Sequence, residues 1–318
     1  MLNRRLFLTA TAATAATSMV PLWAQNATGL GTPTPPAPGF KRMALGDIEI
    51  IALNDGVARR PLGEEFVKNA PVAEVRAMLA SQGLPTDHID IPFTPFLVVA
   101  GGRKMLMDTG LGEFGGPTTG KLLDNLRAAG LQASDIDTVL ISHFHGDHIS
   151  GLRNKAGDLV FPNAKVMVPA PEYAFWMDDA RMAAAPEGMK GAFMGARRVF
   201  GAMPADKLVR FEPGGEVAPG VSTMAAYGHT PGHSLFQVSS GQRKFIYVAD
   251  LTNVPALFAR NPDWAVQFDM DAEAARLVRR KVFDMMANDK VIAGGFHFPF
   301  PAMGGIEKAG NGFAFKPV

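Results

Sequence analysis

The amino-acid sequence predicts a mixed α/β (α+β) fold in which two β-sheets pack together with helices outside. Three observations predict it. From residue 40 onward strand-like and helix-like segments alternate, strands outnumber helices, and helices are interleaved in both halves, so the halves look alike. The 318 residues, 47% of them hydrophobic, are enough for a sizeable core in one large domain or two small ones.

Each element has a local reason. "DIEIIALN" (47–54), "FTPFLVVA" (93–100) and "RKMLMDTG" (103–110) are apolar, β-rich runs and read as strands. "GKLLDNLRAAG" (120–130) carries apolar residues at helical spacing and stops on Gly130, a natural C-terminal cap. "IDTVLIS" (136–142) reads as a short buried strand and "AKVMVP" (164–169) as another, followed by two helices around 171–185 and 188–202. The second half returns to strands at 208–212, 220–228, 234–240 and 244–250. A helix over 271–289, a strand over 290–297 and a last short strand, "GFAFKPV", close the chain.

The beginning reads differently. "MLNRRLFLTATAATAATSMVPLWAQNA" has a basic start, a weakly apolar Ala/Thr run and small residues near Ala24, the layout of an export signal over residues 1–24. The run is too short and too threonine-rich for a membrane anchor. Its paired arginines resemble the twin-arginine signal, which implies a periplasmic or secreted protein exported already folded. Residues 25–39, rich in proline and glycine, are expected to form an extended arm ahead of a single domain over 40–318. Without Arg4 and Arg5, 29 basic residues face 30 acidic ones, so nothing suggests a nucleic-acid partner. The absence of cysteine excludes disulfides, thiolate nucleophiles and Cys-type zinc sites, leaving imidazole and carboxylate to hold any metal.

The chain has seven histidines, and "ISHFHGDHISG" (141–151) places three of them beside an aspartate. Alternation along the strand turns His143 and His145 the same way. Gly146 then lets the backbone bend, so that Asp147 and His148 can swing back towards the same point. Four other segments end an apolar run on a polar side chain: "LMDTG" on Asp108, "YGHTPGHS" with His229 and His233, "FIYVAD" on Asp250 and "AGGFH" on His297. Singly, such an aspartate is usually a turn former and such a histidine a satisfied core residue. Together they look like groups presented by a rigid scaffold, with five of the seven histidines at such ends. His88, in "PTDHIDIP", is expected to face solvent, and His229 to stand behind a ligand.

The motif His143-x-His145-x-Asp147-His148, followed in order by His233, Asp250 and His297 and preceded by the Asp108–Gly110 triplet, resembles the metallo-β-lactamase fold superfamily of binuclear metallohydrolases. "PGFKRMALGDIEIIALNDG", "DTGLGEFGGPTTGKLLDNLRAAG", "EYAFWMDD" and "YGHTPGHS" are similar to the methyl parathion hydrolase group and its lactonase and arylesterase relatives. The resemblance spans the mature chain and implies an αββα sandwich with the site at one edge between the sheets. It implies one ion on His143, His145 and His233 and a second on Asp147, His148 and His297. Asp250 would bridge them, with Asp147 and Asp250 at the reacting centre. It also implies an aromatic pocket of Phe114, Trp176 and Phe193, for which core packing is the competing reading, and a homodimer.

Physical chemistry supplies the reaction. Imidazoles and carboxylates suit zinc foremost, with manganese, cobalt or iron possible. Two such ions about 3.5–4 Å apart can share a hydroxide and lower the pKa of water to roughly 7. Asp108 is placed to orient a ligand imidazole. No further side chain stands out as a general acid, which favours good leaving groups: lactones, aryl esters or phosphotriesters with a phenolic arm. "ADLTNVPALF" lacks the tyrosine that many homoserine-lactone hydrolases of the superfamily carry after the bridging aspartate, which weakens that assignment. Asp250 stands where the commonest zinc β-lactamases have cysteine, which disfavours amide hydrolysis. An iron-containing oxidoreductase of the same fold is the alternative class.

Overall fold

A computed structural model describes residues 29–318. The export signal expected over residues 1–24 lies outside them. Residues 29–39 form neither helix nor strand, and two carbonyls tie them to the body: Leu30 O accepts from Arg59 Nη1 (2.9 Å) and Gly39 O from the Asn54 N–H (2.9 Å).

Seven strands make the first sheet: β1 (Phe40–Leu45), β2 (Ile48–Leu53), β5 (Phe96–Ala100), β6 (Arg103–Met107), β7 (Thr138–Leu140), β8 (Lys165–Pro169) and β9 (Leu208–Phe211), in that spatial order. β3 (Gly56–Pro61) and β4 (His88–Phe93) form a separate hairpin. The second sheet runs β10 (Glu216–Ala218), β11 (Val221–Ala225), β12 (Ser234–Ser240), β13 (Arg243–Ala249), β14 (Ile292–Gly295), β15 (Met303–Ala309) and β16 (Gly312–Pro317). Pairing is parallel from β6 to β9 and between β13 and β14, and antiparallel elsewhere.

The two-residue period of each strand builds the layers. Ile50 and Ala52 of β2, Phe96 and Val98 of β5, and Met105 and Met107 of β6 join Phe236, Val238, Phe245 and Tyr247 of the second sheet in one core. The intervening residues Ile51, Leu53, Leu97 and Leu106 point the other way. They meet Leu122 and Leu126 of α2 (Leu122–Ala128) and Phe193, Ala196 and Val199 of α6 (Glu187–Phe200) in a second core. Outside the second sheet, α8 (Ala272–Asp289) presses Val282, Phe283 and Met286 inward. The αββα sandwich expected from the sequence is the fold observed.

Three details differ from expectation. The helix expected over 171–185 is two, α4 (Ala170–Trp176) and α5 (Asp179–Ala184), because the Asp178 carboxylate accepts from the Arg181 N–H (2.8 Å) and starts a new helix. α1 (Val72–Ala80), α3 (Gly146–Ile149), α7 (Pro255–Phe258) and strands β1, β3, β4, β10 and β15 add to the predicted set. His88 opens β4 opposite Pro61, half-buried with 13% of its side chain exposed, and pairs with Asp87 at 2.7 Å; the expected solvent-facing loop is a strand.

Candidate metal centre

Strand ends converge on one point. β6 delivers Asp108, β7 leads into His143, His145, Asp147 and His148, β13 stops before Asp250, and β14 stops two residues before His297. Asp108 (φ +59°) and Ala249 (φ +45°) hold left-handed backbone that non-glycine residues rarely adopt, so the surrounding structure sustains strain on both sides of the site.

The side chains fall into two groups, each with ligand atoms within 4.8 Å of one another. One comprises His143, His145, His229 and Asp250; the other Asp147, His148 and His297. Asp250 joins them. Its Oδ2 lies 3.2 Å from Nε2 of both His229 and His297, and its Oδ1 lies 3.1 Å from His148 Nε2. Asp147 Oδ2 is 3.4 Å from His297 Nε2 and 3.5 Å from His148 Nε2.

The expected order of His229 and His233 is reversed. His233 spends both ring nitrogens elsewhere: Nδ1 donates to Ala226 O (3.0 Å) and Nε2 accepts from the Asp250 N–H (3.2 Å). His229 turns its Nε2 into the cluster, 2.9 Å from His145 Nδ1. Glycine makes this turn possible. Gly228 has φ +129°, and a Cβ there would strike the backbone of Ala274 and Ala275, while one on Gly232 would strike Glu172.

The outer nitrogen of four of the imidazoles has a partner. His148 Nδ1 meets Asp108 Oδ2 at 2.7 Å, His229 Nδ1 meets Asp269 Oδ1 at 2.9 Å, and His297 Nδ1 meets Pro92 O at 2.8 Å. His143 Nδ1 meets Ser142 Oγ at 3.0 Å. Donating outward fixes the tautomer that leaves a lone pair on the inward Nε2 of these four rings, whereas His145 turns its Nδ1 inward. Among the described residues, His143 Nε2, His148 Nε2 and Asp250 Oδ1 are buried without a hydrogen-bond partner. Buried polar atoms are rarely left so, and soft-to-borderline nitrogen with carboxylate oxygen is a donor set for divalent cations. The residues fit a two-metal site.

Asp108 is more than a single orienter. Besides His148 it accepts from the Ser142 N–H (2.8 Å), Ser142 Oγ (2.6 Å) and Tyr247 Oη (2.6 Å). Glu172, which the sequence reading missed, is a second hub. Its carboxylate accepts from the Phe144 N–H (2.9 Å), Trp176 Nε1 (2.7 Å), Thr230 Oγ1 (2.9 Å) and the Gly232 N–H (2.7 Å). It thereby joins the His143–His148 loop to the His229–His233 turn.

Burial and mutual charge polarise the cluster. Burial, then neighbouring imidazoles, hold His143 and His145 well below the ordinary histidine range, and burial pulls His233 down to about 4. Burial also opposes protonation of His229, but Asp250 and Asp269 outweigh it and raise it to about 9. For Asp250, burial is overcome by His297, His148 and His229, which hold it well below the carboxylate range.

The expected aromatic pocket is divided. Trp176 and Phe193 are buried in the outer core with ring centroids 4.8 Å apart, and Trp176 lies 6.3 Å from the His145 ring. Phe114 stands apart, half-buried under Arg198, whose guanidinium sits 3.6 Å over the ring.

Residues 94–294 match the model of the metallo-beta-lactamase superfamily. The chain belongs to that superfamily. AidC, a dizinc quorum-quenching lactonase solved with the product N-hexanoyl-L-homoserine, is 32% identical, with a TM-score of 0.83 over 88% of this chain and 97% of that one. The hydrolase AbOPH of the beta-lactamase superfamily is 26% identical, with a TM-score of 0.82 over the same shares. A probable metal-dependent hydrolase from Staphylococcus aureus is similar in fold, at 22% identity and a TM-score of 0.68 over 80% of this chain and 91% of that one. No curated protein matches. Fold, superfamily and the His/Asp cluster together support a metal-dependent hydrolase.

Proposed function

We propose that this metallo-β-lactamase superfamily protein is a dizinc hydrolase of lactones and related esters, exported from the cell. The observation that carries the reading is the set of inward-facing, unpartnered imidazole and carboxylate atoms around Asp250. The likeness to a dizinc lactonase over nearly the whole chain supports zinc and a lactone.

His143, His145 and His229 would hold one ion, Asp147, His148 and His297 the other, with Asp250 shared. Two bound divalent cations supply Lewis acidity and a water of lowered pKa. The chain's own part is orientation. Asp108, Ser142, Asp269 and the Pro92 carbonyl keep the imidazoles in the ligating tautomer, and the carboxylates of Asp147 and Asp250 balance the cationic charge. Burial of all but the His145 side keeps bulk water from competing.

A cleft of about 200 Å³ reaches His297 between the end of α1 and α7, lined by Leu79, Leu84, Ile89, Val254 and Pro255 among others. Its apolar walls suit the aliphatic arm of an acyl lactone or ester better than a charged group. Neutral organophosphate triesters fit the same walls and stand as further candidate substrates. No helix among the described residues is long and apolar enough to cross a membrane.

The test is a panel of lactones, aryl esters, phosphotriesters and a β-lactam on zinc-replete protein. The highest kcat/KM is expected on a lactone, with loss of turnover on chelation. A preference for the phosphotriester, or turnover that survives chelation, overturns the reading. Light scattering tests the homodimer, and N-terminal sequencing of the periplasmic protein tests cleavage near Ala24.

A further inference from the structure

Behind His229 a buried chain of charge leads into α8. Asp269 accepts from His229 Nδ1 through Oδ1 (2.9 Å) and from Arg279 Nη2 through Oδ2 (3.2 Å); both side chains are fully buried. Arg279 uses its other donors on three carbonyls: Nε on Leu251 (2.7 Å), and Nη1 on Pro262 (3.1 Å) and Trp264 (2.8 Å). Leu251 directly follows Asp250. A single guanidinium therefore grips both the carboxylate behind His229 and the backbone beside the shared aspartate.

The backbone reinforces the placement. The Met270 N–H donates to His229 O (3.1 Å) and the Asp271 N–H to Gly228 O (2.8 Å), zipping residues 270–271 to the histidine turn. Asp271 then caps α8 by accepting from the Ala274 N–H (3.0 Å). Lys68 Nζ donates to Asp269 O (2.8 Å) from the other side. Asp269 has little freedom to leave its imidazole.

We infer that Asp269 and Arg279 are positioning residues for the metal centre: Asp269 fixes the ring orientation and tautomer of His229, and Arg279 sets Asp269 and the Asp250 backbone in register. An arginine suits this role because its planar fork presents several donors in fixed directions. A carboxylate behind a ligand imidazole also raises its basicity, so losing it weakens the ligand without removing it. The inference rests on the two-metal reading above and adds to it the side chains that select His229.

The test measures metal binding directly, by chelator competition and zinc stoichiometry on wild type, Asp269→Asn, Asp269→Glu and Arg279→Lys. The melting temperature of each metal-free protein is recorded alongside. Asp269→Asn is expected to weaken one of the two zinc ions by about 10–100-fold, leaving the other bound and the metal-free melting temperature close to wild type. Asp269→Glu, which keeps the charge, recovers part of that loss. Arg279→Lys, which cannot reach all four acceptors, weakens the same ion. Two zinc ions held by Asp269→Asn as tightly as by wild type overturn the inference, as does an equal loss of both ions accompanied by a collapse in melting temperature. Wild type that binds no zinc instead overturns the two-metal reading itself.

Discussion

The backbone N–H of Asp250 donates to Nε2 of His233 across 3.2 Å. This bond, with that from His233 Nδ1 to Ala226 O, occupies the ring and leaves His229 to face the cluster. His233 thus supports the aspartate from behind, and the two histidines of one turn have separate work.

His229→Ala is therefore expected to remove one ion and most hydrolysis, with zinc per chain falling from two towards one. His233→Ala leaves the Asp250 N–H and the Ala226 carbonyl without their partner, at a cost of about 1–3 kcal/mol in stability. Its folded fraction keeps both ions. Metal content and denaturation of the two variants side by side check this, and the opposite ranking would return the ligand role to His233.

Glu172→Gln should be costly out of proportion to its size. Four donors converge on the carboxylate, two on each oxygen, and an amide turns its own donors towards two of them. The expected loss is about 1–3 kcal/mol. Because Glu172 ties Phe144 to Thr230 and Gly232, zinc affinity should fall as well. Denaturation curves with and without zinc measure both effects; unchanged affinity would show that the two loops hold their places independently.

Much of this site is legible in the sequence because its chemistry lies at the ends of apolar strands. The His143–His148 motif, Asp108, Asp250 and His297 all follow short, plainly apolar runs, and strand ends carry them to one edge. The choice between His229 and His233 is not legible, since both sit in the same six-residue turn. The partners that separate them lie elsewhere: Ala226 O and the Asp250 N–H take up His233, and Asp269, forty residues further on, meets the outer nitrogen of His229. Glu172 and Asp269 look like solvent carboxylates, one in the first turn of α4 and one just before α8, and only the fold buries them. β1 and the β3–β4 hairpin were missed for a related reason: "FKRMAL" and "GVARRP" carry charge where a buried strand is apolar.

Trp176→Ala tests whether the aromatic group behind His145 is pocket or core. Trp176 is 1% exposed, packs on Phe193 and donates to Glu172, so truncation is expected to cost about 3–5 kcal/mol. Trp176→Phe keeps the apolar volume in part and loses the hydrogen bond, so it should retain more stability. Comparing KM for aryl and alkyl esters on the Phe variant isolates any substrate contact: a rise confined to aryl esters assigns Trp176 to the pocket.

Asp55 gives the fold a pH dependence of its own. Its carboxylate accepts from the Leu111 N–H (2.8 Å) and the Leu122 N–H (2.9 Å), clamping both ends of the loop that carries Phe114. Burial nevertheless outweighs these donors and raises its pKa from 3.8 to about 7. The folded state therefore keeps a proton that the unfolded chain releases near pH 4, and stability falls as pH climbs from there towards 7. Asp55→Asn carries no such proton. In zinc-free protein, where metal binding adds no pH dependence, the stability of wild type relative to Asp55→Asn should decline by about 3 kcal/mol between pH 5 and pH 8. A constant difference across that range in chemical denaturation would mean that Asp55 is ionised throughout and that its amide partners prevail over burial.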